Sequence, residues 1–532
     1  MATHYRNRTT PEKVPHYRNR TTVFPVPRPP LSACVSRHRL RYPVSDQSVE
    51  RWERLLAEND DIKVWRAINW NGVLSEDHTL VTESPSDNEF KEHFDEILNS
   101  SDTVSDDYEH LRSDVYIPVL DDPITPQEVS DQIKRLKGNK ACGPDGIPPG
   151  VLKLLPDAWI VYITTVFNCI FMAGSFPSSW ATAKLFTVFK GGSRSLVTNY
   201  RGISVVNSMV KLYDMVLCDR LNRWFKPFRE QAGSQTGRGC LEHVVSLRLL
   251  MQVATKKKLR LYITFVDFAK AYDRVRRNML FSILKRLGCG MIMLFAIIAM
   301  YRVTHSAIGT ALITASIGVR QGAPSSCLLF VLYVNDLIRL IKQNCGVDGF
   351  LQWLHVLVLM DDTVILPTSR AGMIQKITLL NKFCVSHGMD LNVRKTKFMV
   401  LNAEEDDKQP LIVDGVIVEH CSQYVYLGSP FTCDGSTSSA IKVHAHRVTC
   451  HVLKFIEFLS KNNDMSFYVK KRVFNCALLS SIMYGCESWL NGDIKPVKKL
   501  YMWCIKRLLL FISAAGERSF SQISPQRIFG SV

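Results

Sequence analysis

The most constraining feature of this sequence is a pair of aspartates set between two apolar runs. His355 to Met360 reads as a strand, meets Asp361-Asp362 and returns as Thr363 to Leu366, which predicts a β-hairpin with two carboxylates at its tip. A third aspartate stands in the same situation, because the short run Leu261 to Phe265 ends in Val266-Asp267. Strands this apolar imply a buried sheet, and carboxylates crowded at its end repel one another and lose hydration. Without a compensating cation, at least one of them would hold its proton.

An isolated Asp-Asp pair is ordinarily just a turn. Three carboxylates at the ends of apolar strands are different, because a divalent metal removes their conflict. Two Mg²⁺ ions about 3.5 to 4 Å apart, bridged by carboxylates of separate strands, would activate a 3′-hydroxyl and stabilise the pyrophosphate leaving in an in-line nucleotidyl transfer. Successive strand residues face opposite sides, so Asp361 and Asp362 are unequal ligands. Asp267 and Asp361 are the expected bridging pair, with Asp362 more peripheral.

The rest of the chain suits a polyanionic partner. Its 532 residues hold 66 Lys plus Arg against 49 Asp plus Glu, a formal net charge of +17, and such an excess favours nucleic acid ahead of an anionic membrane surface. The excess is local: residues 1–50 are net +6, residues 51–130 net −14 and the remainder net +25. An acidic front segment therefore precedes a basic body. At the very start HYRNRTT (His4 to Thr10) is repeated at His16 to Thr22 and followed by the Pro-rich Val23 to Pro30, a low-complexity, disordered tail to which no function is assigned. The 15 cysteines are odd in number, scattered, and never spaced C-x-x-C, as reduced intracellular thiols are. Uncharged stretches such as Trp159 to Ser175 and Met291 to Tyr301 are too short or too polar for a membrane span, and Met1 to Thr10 has no apolar core behind its arginines to make a secretory signal.

Between about 125 and 260 the pattern is helical, with turns at Gly143-Pro144-Asp145-Gly146 and Gly191-Gly192 and apolar positions Val151, Leu154, Leu155, Trp159 and Val161. From 261 the pattern turns to strands, with a further helix over Pro324 to Lys342.

Six segments then follow in order: NYRGIS (Asn199 to Ser204), FVDFAKAYD (Phe265 to Asp273), GVRQGAPSSCLLFVLYVNDL (Gly318 to Leu337), LMDDTVIL (Leu359 to Leu366), LNVRKTKFMV (Leu391 to Val400) and YVYLGSPFT (Tyr424 to Thr432). The series resembles the successive fingers and palm motifs of reverse transcriptases from non-LTR, LINE-like retrotransposons. KGNKACGPDGIPPGVLK (Lys137 to Lys153) resembles the segment that introduces the fingers, and the resemblance runs from about 120 to about 505. It implies an α+β right-hand polymerase, with fingers at 126–260, a palm with an antiparallel sheet at 261–434, a reverse transcriptase core at 173–434 and a helical thumb at 435–532. The tail at 1–50 and an acidic linker at 51–125 precede these.

In this family the first palm aspartate and the hairpin pair hold two Mg²⁺, with Mn²⁺ able to substitute, which lands on Asp267, Asp361 and Asp362, helped by the backbone carbonyl of Phe268. Tyr272 matches the aromatic that excludes a 2′-hydroxyl. Gln321-Gly322 matches the loop beside the incoming nucleotide and template, where glycine lets the backbone come close. Lys190 and Arg201 fall where the fingers carry cations for the triphosphate. Lys395, or Lys397 beside it, matches a lysine that assists pyrophosphate departure. In the thumb, a helix over Phe467 to Trp489 would turn Lys470, Lys471 and Arg472 outward to grip phosphates. The implied partners are an RNA template, a DNA primer and dNTPs; oligomeric state and the choice between nucleus and cytoplasm stay open.

Two departures stand out. The hairpin of this class reads Tyr or Phe, Ala, Asp, Asp, whereas this one reads Leu359-Met360-Asp361-Asp362, with a methionine as in the retroviral version; chemistry is expected to survive, with primer placement or fidelity altered. Pro324 to Cys327 replaces the usual Leu-Ser-Pro, with small effect expected. His444, His446, Cys450 and His451 do not follow a known zinc spacing. Only about 120 residues precede the first motif, too few for the endonuclease of full-length members, and Ser75-Glu76-Asp77-His78 does not make its Ser-Asp-His motif. A chain truncated at its N-terminus is expected. The alternative reading is a degenerate retroelement remnant that binds RNA or DNA without polymerising; weaker is a cellular or intron-encoded reverse transcriptase.

Overall fold

The computed structural model describes residues 84–99, 108–138, 140–462 and 466–513. The duplicated tail and Ser75 to His78 lie outside them. The principal helices are α1 (Asp87–Leu98), α2 (Pro126–Arg135), α3 (Asp157–Ala173), α4 (Ser208–Trp224), α5 (Cys240–Lys256) and α6 (Arg277–Arg286). They continue with α7 (Met291–Arg302), α8 (Ser326–Asn344), α9 (Arg370–His387), α10 (Thr437–Lys461), α11 (Phe467–Val473) and α12 (Lys495–Ser513). The strands are β1 (Thr182–Phe189), β2 (Tyr200–Val205), β3 (Leu261–Val266), β4 (Phe268–Ala269), β5 (Thr304–Ile308), β6 (Ala311–Ala315) and β7 (Val356–Leu359). After them come β8 (Asp362–Ile365), β9 (Asp390–Leu391), β10 (Lys397–Leu401), β11 (Leu411–Val413), β12 (Val416–His420), β13 (Gln423–Tyr426) and β14 (Ser429–Thr432).

The central sheet runs β11-β12-β10-β3-β8-β7. Every residue of β3 is buried, because helices cover both faces. Leu261, Ile263 and Phe265 meet Val244, Leu247 and Met251 of α5 on one side, while Tyr262 meets Met373 and Ile377 of α9 on the other. That sandwiching explains a strand buried at every position, and apolar at all but Thr264, rather than at alternate ones. Helix α8 carries the main core through Leu328, Leu329, Leu332, Leu337, Ile338 and Ile341; it begins two residues later than the Pro324 start expected.

A second sheet, β2-β1-β5-β6, corrects the helical reading of residues 125–260. β1 and β2 pair antiparallel from Lys184↔Val205 to Phe189↔Tyr200, and β1 pairs parallel with β5 at Thr182↔His305. The alternating burial of β1 is shallow, and its stabilising partner lies more than a hundred residues downstream, so local periodicity did not reveal it. Helix α1, within the segment expected to be an acidic linker, packs Phe90, Phe94 and Ile97 against Leu185, Tyr200, Ile308 and Ile313 of this sheet.

Helix starts follow capping rules. Thr125-Pro126-Gln127-Glu128 opens α2 with a capping box and proline in the first turn. Glu128 then meets Arg220 of α4 through two 2.8 Å hydrogen bonds, and Arg220 also donates to the carbonyls of Leu120 and Pro123 at 3.0 Å. Burial raises the Glu128 carboxyl, but the Arg220 hydrogen bonds outweigh it and hold it at about 2.

The C-terminal helices depart from expectation. Instead of one helix over 467–489, α11 passes into a π-helical turn at Phe474–Leu479 and a short helix at Ser480–Ile482. Lys470 does not face out: it is 3% exposed, and Lys471 and Arg472 are partly buried. Three consecutive helical residues sweep about 200° of surface, and α11 is packed by both α12 and the helices around it, so one of the three had to turn inward. The histidines and Cys450 also disperse. His444 is buried with Nε2 3.0 Å from the Ile482 carbonyl, while His446 is exposed.

Candidate active site

The three aspartates meet at one end of the central sheet. Antiparallel pairing puts Val266 of β3 opposite Thr363 of β8, so one step further Asp267 comes level with Asp362. Leu359 pairs with Asp362 across the hairpin, leaving Met360 and Asp361 as a two-residue turn. Asp267 has left the ladder: its carbonyl accepts from Asn392 N at 2.8 Å, and its own N–H donates to Thr396 Oγ1 at 3.3 Å. Phe268 buries its ring and pairs with Leu391.

A cleft of about 300 Å³ opens in front of this end, lined by Asp267, Asp361, Tyr272, Gln321, Lys190, Arg201 and Lys395. With Phe268, which also lines it, the structure gathers eight of the site residues expected from sequence, drawn from segments two hundred residues apart. A larger groove of about 800 Å³ lies elsewhere, beside Phe176 and Phe295, but it holds a single carboxylate, Glu109, and no comparable cluster of charge.

Each positioning contact has a local cause. Arg201 sits on β2 opposite Val188, and Lys190 N donates to the Asn199 carbonyl at 2.8 Å, so the β1–β2 turn carries both cations together. Ser204 N donates to the Gln321 carbonyl at 2.7 Å, and Val319 N to the Tyr272 carbonyl at 3.0 Å, tying three of the motif segments into one wall. Gly322 has φ +116°, and a Cβ there would come 2.5 Å from the Ser204 carbonyl oxygen; only glycine lets the loop lie against β2. Tyr272 stacks on Phe330 with centroids 4.7 Å apart, its hydroxyl 3.5 Å from Cys327 Sγ.

Charge in the cleft is unbalanced in both directions. Desolvation raises the Asp361 pKa, and Asp267 adds to the rise while Arg201 and Lys395 oppose it. Asp362, exposed at the start of β8 and outside the cleft lining, is pushed up to about 6 by desolvation, then by Asp361 and Asp267. Burial lowers Lys190, and Arg201 beside it lowers it further. Lys395 Nζ stands 3.5 Å from Asp267 Oδ2. Lys397, the other lysine of that motif, pairs instead with Glu419 at 2.5 Å.

Four cleft residues were missed in the sequence. Lys270, Asp273 and Asn392 line it and lie within or beside motifs already singled out, which was the available signal. Asp273 is raised by burial against the pull of Lys270, Lys190 and Arg201. His93 of α1 also lines the cleft, and nothing near it in the chain announced this.

Among the described residues no three His, Cys, Asp or Glu side chains converge closely enough to hold a metal ion by themselves. The fit to a divalent cation is one of charge and donor chemistry. Desolvation raises both Asp361 and Asp362, Asp267 adds to each and Asp361 adds to Asp362, a conflict that a hard cation relieves, and an all-oxygen donor set suits Mg²⁺ or Mn²⁺.

Strand-end carboxylates facing a cation-lined cleft define a candidate nucleotidyl-transfer site, and residues 189–431 match the family described as reverse transcriptase (RNA-dependent DNA polymerase). Residues 189–431 are thus similar to a reverse transcriptase domain. Several of its curated relatives are named as RNA-directed DNA polymerases of mobile elements or transposons. The polymerase from mobile element jockey of Drosophila funebris is 23% identical over 71% of this chain and 43% of its own length. The probable polymerase from transposon BS of Drosophila melanogaster is 25% identical over 69% and 42%, and that from transposon X-element of the same species 26% over 76% and 45%. The chain spans less than half the length of these relatives. A solved telomerase from Candida albicans aligns over 72% of this chain and 68% of its own with TM-score 0.37 and 13% identity. Among the described residues no helix is long and apolar enough to cross a membrane.

Proposed function

We propose that this chain is an RNA-directed DNA polymerase that adds dNTPs to a primer 3′-hydroxyl on an RNA template. The observation that carries the reading is the arrangement of Asp267 and Asp361 at the ends of neighbouring strands, facing Lys190, Arg201 and Lys395 across one cleft. The α+β body divides as a right hand, with the β3/β7/β8 sheet as palm, the β1/β2/β5/β6 sheet within the fingers, and α10 to α12 as thumb.

Asp267 and Asp361, with Asp362 peripheral and the Phe268 carbonyl assisting, would hold Mg²⁺ or Mn²⁺, which when bound supplies activation of the hydroxyl and neutralisation of the leaving charge. The chain's own residues do the rest. Arg201, Lys190 and Lys270 receive the triphosphate, a guanidinium and two ammonium groups against three phosphate oxygen sets. Tyr272, held flat on Phe330, occupies the space a 2′-hydroxyl would need and so selects deoxynucleotides. Gln321-Gly322 supports the nascent pair from the backbone side. Lys395 stands where it can give a proton to the departing pyrophosphate.

Primer extension on poly(rA)/oligo(dT) with Mg²⁺ and dTTP, at low and moderate salt, tests this with Asp267→Asn alongside. Extension by the wild type alone is expected. If neither protein extends a primer that both bind equally, the reading falls to a nucleic-acid-binding remnant.

A further inference from the structure

The turn that carries Asp361 is braced by a segment outside every motif considered so far. Residues 230–232 lie along the edge strand β7, where Val358 N donates to the Glu230 carbonyl and Ala232 N to the Val358 carbonyl, each at 2.9 Å. This backbone pairing covers the open edge of the sheet and brings Gln231 beneath the hairpin. The Gln231 side chain is fully buried. Its Oε1 accepts two hydrogen bonds, from Met360 N at 3.1 Å and from Gly233 N at 2.7 Å. The Gln231 carbonyl in turn accepts from the Gln235 side chain and from Arg238 Nη1, the latter at 2.9 Å.

Met360 is where such a brace is needed. It has φ +60° and Asp361 does not share a positive φ, the pattern of a type II′ turn, which favours glycine at its first position. A methionine there is strained by its Cβ, and its N–H points out of the hairpin ladder. Gln231 satisfies that N–H and fixes the peptide leading into Asp361. Gly233 completes the fit: its φ is ordinary, but a Cβ would come 2.5 Å from Met360 Sδ and 2.8 Å from Gln231 Oε1. Any larger residue would push against the Met360 and Gln231 side chains.

We propose that Gln231 is a positioning residue for nucleotidyl transfer, its amide oxygen holding the strained Met360–Asp361 turn so that Asp361 is presented to the cleft, with Gly233 and Met360 as mutually fitted partners. The catalytic half of this rests on the polymerase reading; the fit does not. This bracing also gives a physical account of a hairpin that tolerates Leu359-Met360 ahead of its aspartates.

Two measurements test it. In thermal unfolding, Gly233→Ala should lower Tm by several degrees, and by clearly less in a Met360→Ala background, where the Met360 contacts are gone and only that to Gln231 Oε1 remains; strictly additive shifts would overturn the fit. In primer extension, Gln231→Met, which keeps the volume and loses the acceptor, should lower kcat by about tenfold or more with the dNTP KM and primer–template Kd within about twofold. Adding Met360→Gly, which needs no brace at positive φ, should recover most of that loss, as no general destabilisation would. A Gln231→Met variant with the wild-type kcat overturns the positioning role. If the wild type itself does not extend a primer, the polymerase reading and the catalytic half fail together, while the Tm cycle still decides the fit.

Discussion

The Asp361 turn and the first turns of α11 both carry charge against packed protein, and they handle it in opposite ways. At the hairpin the carboxylates sit where two strands stop, so register fixes their separation and sends them into a cleft toward cations from three other segments. On α11 the packing of neighbouring helices decides, and Lys470 is turned inward to 3% exposure. A charge at a sheet end is placed by the backbone ladder; a charge on a helix surface is placed by whatever covers the helix. Only the first kind makes a site whose geometry survives small changes elsewhere.

The largest effect that would break this contrast is at the hairpin. Asp361→Asn should lower the rate of primer extension by roughly a thousandfold or more while leaving the Kd for primer–template within about twofold, measured by filter binding; unchanged extension would mean the register does not place a reacting group. Next comes a buried helix cation with a clear partner. Arg220→Ala should cost about 3 kcal/mol in urea unfolding, because it strands Glu128 partly buried. Glu128 is held at about 2, below the ordinary carboxylate value of 4.5. A depressed folded pKa contributes stability that is present above about 4.5 and lost as pH falls toward 2, so the Glu128→Gln variant should show a flatter stability profile across that window.

A smaller effect sharpens the cleft side. Tyr272→Ala should relax discrimination between dTTP and UTP by roughly ten- to a hundredfold in kcat/KM, while Tyr272→Phe, which keeps the ring on Phe330, should change it little. The smallest effect separates the two kinds of helix cation. Lys471→Ala should reduce the salt slope of primer–template binding by about one, whereas Lys470→Ala should leave the slope alone and lower Tm. Equal slopes for both would show that α11 contributes no phosphate contact.

What could be read in the sequence follows the same division. β3, the hairpin and the aspartates were legible because their signal is short-range: an apolar run, a turn, a carboxylate. Arg201, Gln321 and Tyr272 were legible through the order of the motifs, and the structure brings them to one cleft. The β1–β2 hairpin was read as helical because Thr182–Phe189 mixes lysine with shallow burial, and its neighbour β5 is remote. His93 could not be found at all, since its place depends on α1 docking across the second sheet. Gln231 was invisible for a different reason: its importance lies in two backbone N–H groups, which every sequence has.

The threading of β3 has a consequence for how the chain is made. This strand is central, yet its flanking partners, β8 and β10, begin at Asp362 and end at Leu401. At translation rates of about 5 to 20 residues per second, roughly seven to twenty-seven seconds separate the emergence of β3 from that of β10. Until β8 emerges, the run Leu261 to Val266, buried throughout and apolar but for Thr264, waits without either neighbour, next to the already synthesised α5. Such long-range closure makes folding slow and the nascent chain prone to aggregation, so a recombinant polypeptide of this kind should give more native protein when synthesis is slowed and chaperones are abundant than when it is rapid.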